Sequence, residues 1–181
     1  MNGILKGVRP LDYVLAAVMT AAGAYLMYEN VVATGSGLAH AQSSKSWAML
    51  PAFFLVTLPI LWRRRNVLAV IGITAIAAAG HVLAFGWITR CGVVLPLSVA
   101  LAYAVGRFAG SWRNHAIGLV GVVVLQLVVL VRDTSIDGIA GALVLSLPAA
   151  ALGYGIGVFV QSRVTRKQSA EVTPLIERAA A

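Results

Sequence analysis

Six apolar runs separated by short polar or basic segments make up most of the chain: 11–33, 47–62, 67–88, 91–108, 115–131 and 136–160. A helix that crosses the hydrocarbon of a bilayer needs roughly 20 apolar residues at about 1.5 Å each. Four of the runs reach or approach that length. Runs 47–62 and 115–131 are shorter and must borrow flanking residues or lie where the bilayer thins. No segment alternates apolar and polar residues as the strand of a membrane barrel would. The pattern predicts an all-α polytopic membrane bundle of six transmembrane helices over 1–160, followed by a short basic tail, 161–181.

The connections refine this picture. Segment 34–46 is the longest, rich in Gly and Ser, and is expected to be mobile. The turn 86–92 is so short that the third and fourth helices should be antiparallel neighbours, and Asn66 is placed to cap the third helix. In the tail, Pro174 is expected to interrupt any helix continuing past 170. The twenty or so tail residues cannot form a catalytic domain.

Composition agrees with a membrane protein. Charged residues are 11% of the chain and hydrophobic ones 60%, against about 25% charged in soluble domains, and mean hydropathy is +0.88. Of the 14 Lys and Arg, Lys6, Arg9, Arg63, Arg64, Arg65, Arg107, Arg113, Arg163, Arg166, Lys167 and Arg178 fall on one side of the six runs, and only Lys45, Arg90 and Arg132 on the other. Basic short loops stay on the cytoplasmic side, so both termini are expected there, in the plasma membrane of a bacterium. The net charge of +8 does not point to nucleic acid, because it sits in helix ends and short loops rather than on a polar domain. There Arg63, Arg64, Arg65, Arg163, Arg166 and Lys167 act as topology signals that also touch lipid headgroups. Ala39-His-Ala41 imitates a signal-cleavage site, but the preceding apolar run is too long for a signal core and reads as an uncleaved crossing.

Small residues at helical spacing mark packing faces: Ala102, Gly106 and Gly110 on the fourth helix, Gly153 and Gly157 on the sixth. Such faces let helix backbones approach closely within one chain or between chains, so a protein partner or a homodimer is expected through them. Polar residues inside the membrane cost energy unless paired. In the orientation above, Glu29, His81, Gln126 and Ser98 lie at similar depth in the outer leaflet, which suggests a shallow pocket for a small amphipathic or lipid-like ligand. The alternative is that Glu29 reaches the interface while His81 and Gln126 form interhelical hydrogen bonds.

Enzymatic chemistry finds little footing. Asp137, Gly138 and Ala140 resemble the opening of the motif of membrane phosphatidyl-alcohol transferases, yet the later metal-holding aspartates are missing. Asp133 and Asp137 have carboxylate-pair spacing, but an external turn makes solvation the ordinary explanation. His40, His81 and His115 lie at different depths, and Cys91 is alone, so neither a metal site nor a disulfide can be assembled. No catalytic residue and no cofactor is expected.

Arg9-Pro-Leu-Asp12 leading into an apolar helix, Leu61-Trp-Arg-Arg-Arg65 ending the second, and Val67-Leu-Ala-Val70 opening the third resemble the N-terminal membrane domain of actinobacterial sensor histidine kinases. Ala100-Leu-Ala-Tyr-Ala-Val-Gly-Arg107 is similar to that family's fourth helix, and Gly155-Ile-Gly-Val-Phe-Val-Gln-Ser-Arg163 to its exit toward the dimerisation helices. The resemblance spans nearly the whole chain. It implies a six-helix input domain with a sensing, regulatory or complex-organising role. The family's phosphoacceptor histidine and ATP-binding domain have no counterpart before Ala181, so kinase activity does not carry over. Other expectations are an accessory subunit of a larger membrane complex and a small transporter, the latter weakened by the lack of charged midplane residues and of an inverted repeat.

Overall fold

The structure, a computed structural model, describes the backbone of residues 7–32 and 39–180 and the side chains of 7–32 and 39–170. Its described residues contain six α-helices: α1 (Pro10–Val32), α2 (Met49–Thr57), α3 (Val67–Phe85), α4 (Cys91–Phe108), α5 (Trp112–Leu130) and α6 (Gly138–Ala180). All but α2 are long and apolar enough to cross a membrane. No strand occurs among the described residues.

Helix α2 continues as a 3-10 helix, Leu58–Trp62. Pro59 causes the change, since it has no N–H to donate to the α-helical ladder. The combined segment rises only about 23 Å, yet it runs back along α1. Thr57 and Thr20 hydroxyls meet at 2.9 Å, Phe53 and Thr57 pack on Gly23, and Arg63 reaches Asp12 in the first turn of α1. The next helix begins at once, with the Asn66 side chain accepting from the Ala69 N–H at 3.0 Å, as its position in the sequence predicts.

At the centre of the bundle is α4, which touches α1, α3, α5 and α6 and packs most heavily on α6. Glycine explains that preference. A Cβ at Gly106 would lie 2.6 Å from the Tyr154 carbonyl oxygen, and Cβ atoms at Gly153 and Gly157 would run into the carbonyls of Val99 and Tyr103. Ala102 is fully buried on the same helix. Gly110 plays a different part: it turns the chain after α4 at φ 75° and faces open space. Because α4 is drawn to α6, and α3 to α5, the antiparallel pair α3 and α4 touch each other only lightly despite their short connection.

The bundle is apolar on its outside as well as in its core, and several polar side chains are turned inward. Thr74, His81, Ser98 and Gln126 are buried, while Val14, Ile73, Ile76, Leu83, Val144 and Leu152 point outward. Such an arrangement is compatible with a helical membrane bundle. Aromatic side chains sit at both ends of the bundle, with Tyr28 beside Trp47 at one and exposed Tyr13 and Trp112 at the other, as headgroup layers favour.

One expectation, an interruption of the last helix at Pro174, is corrected. The connection before α2 is stitched to two others where it is described: His40 N–H donates to the Thr134 carbonyl at 3.2 Å and Ser43 N–H to the Trp87 carbonyl at 2.8 Å, while 33–38 lie outside the described residues. Gly86, at φ 62°, makes room for that stitching, since a Cβ there would press on Ser43 at 2.9 Å. Pro174 does not end α6, which runs to Ala180 over 43 residues. Proline removes one backbone donor and bends a helix without stopping it where water can satisfy the freed carbonyl.

Candidate functional site

The short connections opposite the Arg63 end converge on one buried polar cluster. Arg90, the residue before α4, is the largest fully buried side chain, 1% exposed. Its guanidinium donates to the carbonyls of Gly86 at 2.9 Å and Arg132 at 3.2 Å. Its Nε lies 3.3 Å from His81 Nδ1. Burial lowers the Arg90 pKa to about 10, opposed by the neighbouring Asp133 carboxylate, so the group remains charged at neutral pH.

Asp133 is also fully buried. One carboxylate oxygen accepts from the backbone N–H of Arg90 and, at 2.7 Å, of Cys91. The other accepts from the N–H of Ser135 at 3.0 Å and from its hydroxyl. Asp133 therefore caps α4 from the α5–α6 connection, placing negative charge where the helix dipole is positive. The solvated role expected for it is corrected; Asp137 alone is exposed.

Around this pair the connections are laced together. Asn30 donates to the Thr89 carbonyl at 2.8 Å and accepts from the Thr89 N–H at 2.9 Å. Gln42 donates to the Asn30 carbonyl and side chain, and the Thr89 and Thr134 hydroxyls meet at 2.8 Å. One cluster thus joins α1, the α1–α2 connection, the α3–α4 turn and the α5–α6 turn.

The residues singled out from the sequence separate. His81 belongs to the cluster: buried, edge-on to Phe53, beside Phe85, with Nε2 3.4 Å from the Met49 carbonyl. Ser98 and Gln126 are buried, and Ser98 Oγ and both Gln126 amide atoms have no hydrogen-bond partner among the described residues. Glu29 stands apart on the exposed face of α1, bonded to Tyr25. Arg90 and Asn30 were not expected, and Asp133 was expected only as a solvated residue. Their signal in the sequence was a polar residue at the margin of an apolar run.

At the opposite end, Asp12 is fully buried. It accepts from Arg63 at 3.0 Å, Arg64 at 2.7 Å and the Arg9 N–H at 3.0 Å. Arg64 also lies over the Phe108 ring, 5.0 Å from its centroid. Arg63 and Arg64, expected to face lipid headgroups, thus bind α1 to the end of the second helical segment. Arg163 is stacked over Phe159 at 5.0 Å, Arg166 and Lys167 are exposed on α6, and Arg65 is exposed and engaged in a further contact.

Compared with known proteins, the chain matches no family model, no curated relative and no solved structure.

Proposed function

We propose that the chain is a six-crossing bacterial plasma-membrane protein with both ends in the cytoplasm, which catalyses no reaction and senses or regulates by moving α6. One observation carries the reading. Helix α6 runs unbroken from Gly138, next to the Asp133 cluster, to Ala180 beyond the basic end, a length of about 64 Å. That is about twice the hydrocarbon thickness, so one continuous helix is long enough to link the two faces.

Contacts along α6 suit such a role. Gly106, Gly153 and Gly157 bring the α4 and α6 backbones together, so a displacement of α4 at the cluster bears directly on α6. A ligand shifts the helix only by preferring one of its positions, and the cluster around Arg90 and His81 is where α1, α3, α4 and the α5–α6 turn meet. The resemblance to sensor-kinase input domains supports the same output route. The orientation rests on the distribution of Lys and Arg, and the sixth crossing on the second helical segment running back along α1.

Truncation after Gln161 tests the output. The full chain and the truncated chain are purified in mild detergent and co-purifying proteins identified. Partner binding lost on truncation, with membrane localisation retained, is the expected result. Unchanged partner binding removes α6 as the output. A large stoichiometric partner held by both forms identifies an accessory subunit instead, and substrate flux in liposomes sinks both readings.

A further inference from the structure

The basic end carries a cleft of about 690 Å³ bounded by the end of α4, the start of α5 and the emerging part of α6. That volume lies within the roughly 300–1,000 Å³ of small-molecule sites. The cleft crosses a boundary in polarity. Gly106 and Val158 come from the apolar stretches of their helices, whereas Thr165 and Arg166 belong to α6 beyond its last apolar turn.

Charge in the cleft has one sign. Arg107, Arg166 and His115 line it, together with hydroxyl groups, and no carboxylate is among the described lining residues. Two of these groups are held in place. Arg107 Nη1 donates to the Tyr103 hydroxyl at 2.6 Å, one of five donors that a guanidinium carries. His115 Nδ1 lies 3.0 Å from the Tyr154 hydroxyl, which fixes the ring and leaves Nε2 as its second polar atom. Guanidinium forks from two directions, an imidazole and aliphatic hydroxyls match a group that offers several acceptor oxygens and negative charge.

We propose that this cleft binds a phosphate ester of net negative charge, bridged by Arg107 of α4 and Arg166 of α6. Carboxylate ligands offer two oxygens in one plane; a phosphate presents its oxygens tetrahedrally and reaches both walls. The junction of apolar and polar walls gives an anionic phospholipid a place for its chains as well as its headgroup, while a soluble phosphate ester uses the polar wall alone. The ligand ties α6 to α4 beyond their last glycine contact. Binding itself does not depend on α6 relaying a signal.

Native mass spectrometry of the full chain released from non-ionic detergent tests the site, with phosphatidylglycerol, phosphatidylcholine and glycerol 3-phosphate as separate probes. Phosphatidylglycerol is expected to be retained over phosphatidylcholine, and Arg166→Gln to reduce retention about tenfold, the effect of losing one charge-assisted pair. Arg107→Gln acts in the same direction but also removes the bond to Tyr103, so exposed Arg166 provides the cleaner variant. Arg113→Gln, an equal charge change at the same end but outside the cleft, leaves retention unchanged. Glycerol 3-phosphate retained while neither lipid is, with that binding lost in Arg166→Gln, assigns the site to a soluble ester. Both lipids retained equally, no retention of any probe, or an equal loss in Arg113→Gln overturns the proposal.

Discussion

At the Arg63 end a carboxylate, Asp12, is buried against two guanidinium groups, whereas at the Arg90 end a guanidinium is buried against neutral acceptors. There the nearby carboxylate, Asp133, gives its oxygens to backbone and hydroxyl donors. The first arrangement is an ion pair whose outer member, Arg64, keeps 18% of its side chain exposed. The second replaces water by fixed dipoles. Direct pairing joins two elements; a ring of carbonyls, an imidazole and a capping carboxylate joins four. What differs is how many separate stretches of chain must be correctly placed before the charge is satisfied, and so how much of the fold each charge reports on.

Removing Arg90 should have the largest effect. Arg90→Ala strips the partners from the Gly86 and Arg132 carbonyls, takes away a positive charge neighbouring Asp133 and opens a cavity, for a loss of about 3–5 kcal/mol. The measurement is the unfolding midpoint in mixed micelles of rising SDS content, and an unchanged midpoint would show that the cluster is not what holds the connections. Asp12→Asn should cost less, about 1–3 kcal/mol, because the amide still accepts hydrogen bonds and Arg64 can turn to water. High salt separates the two ends: at about 1 M the Asp12→Asn loss should shrink while the Arg90→Ala loss persists, since screening reaches only the partly exposed pair. Equal salt responses would erase the contrast. Smallest is the Thr89 and Thr134 hydroxyl contact. Thr89→Val and Thr134→Val should each cost about 1 kcal/mol, and the double variant less than their sum; strict additivity would mean that the hydroxyls do not act on each other.

Helices were legible from the sequence because long apolar runs have one stable form in lipid. Asn66 as a cap, and Gly106, Gly153 and Gly157 as residues with no room for a side chain, follow from local spacing. The partners of charges were not legible. Arg63 and Arg64 look like a topology signal, and nothing near them in the chain reveals that Asp12, 51 and 52 residues earlier, lies between them. The two motifs that carry the resemblance at the start of the chain and after the second helical segment are, in space, the two halves of one contact. Asp133 was misread for a related reason: a carboxylate in a short turn looks solvated until the helix start it caps is brought beside it. Ser98 and Gln126 show the limit of depth as a guide. Shared depth places them at similar heights, but which helix faces meet is decided by where glycine allows approach.

The cap on α4 has a consequence for synthesis. The ribosome delivers Arg90 and Cys91 more than forty residues before Asp133, so α4 is made with its first N–H groups and an arginine still awaiting a partner that follows only behind α5. The start of α4 and the turn after α5 are therefore satisfied together, and neither is complete until the other has been made.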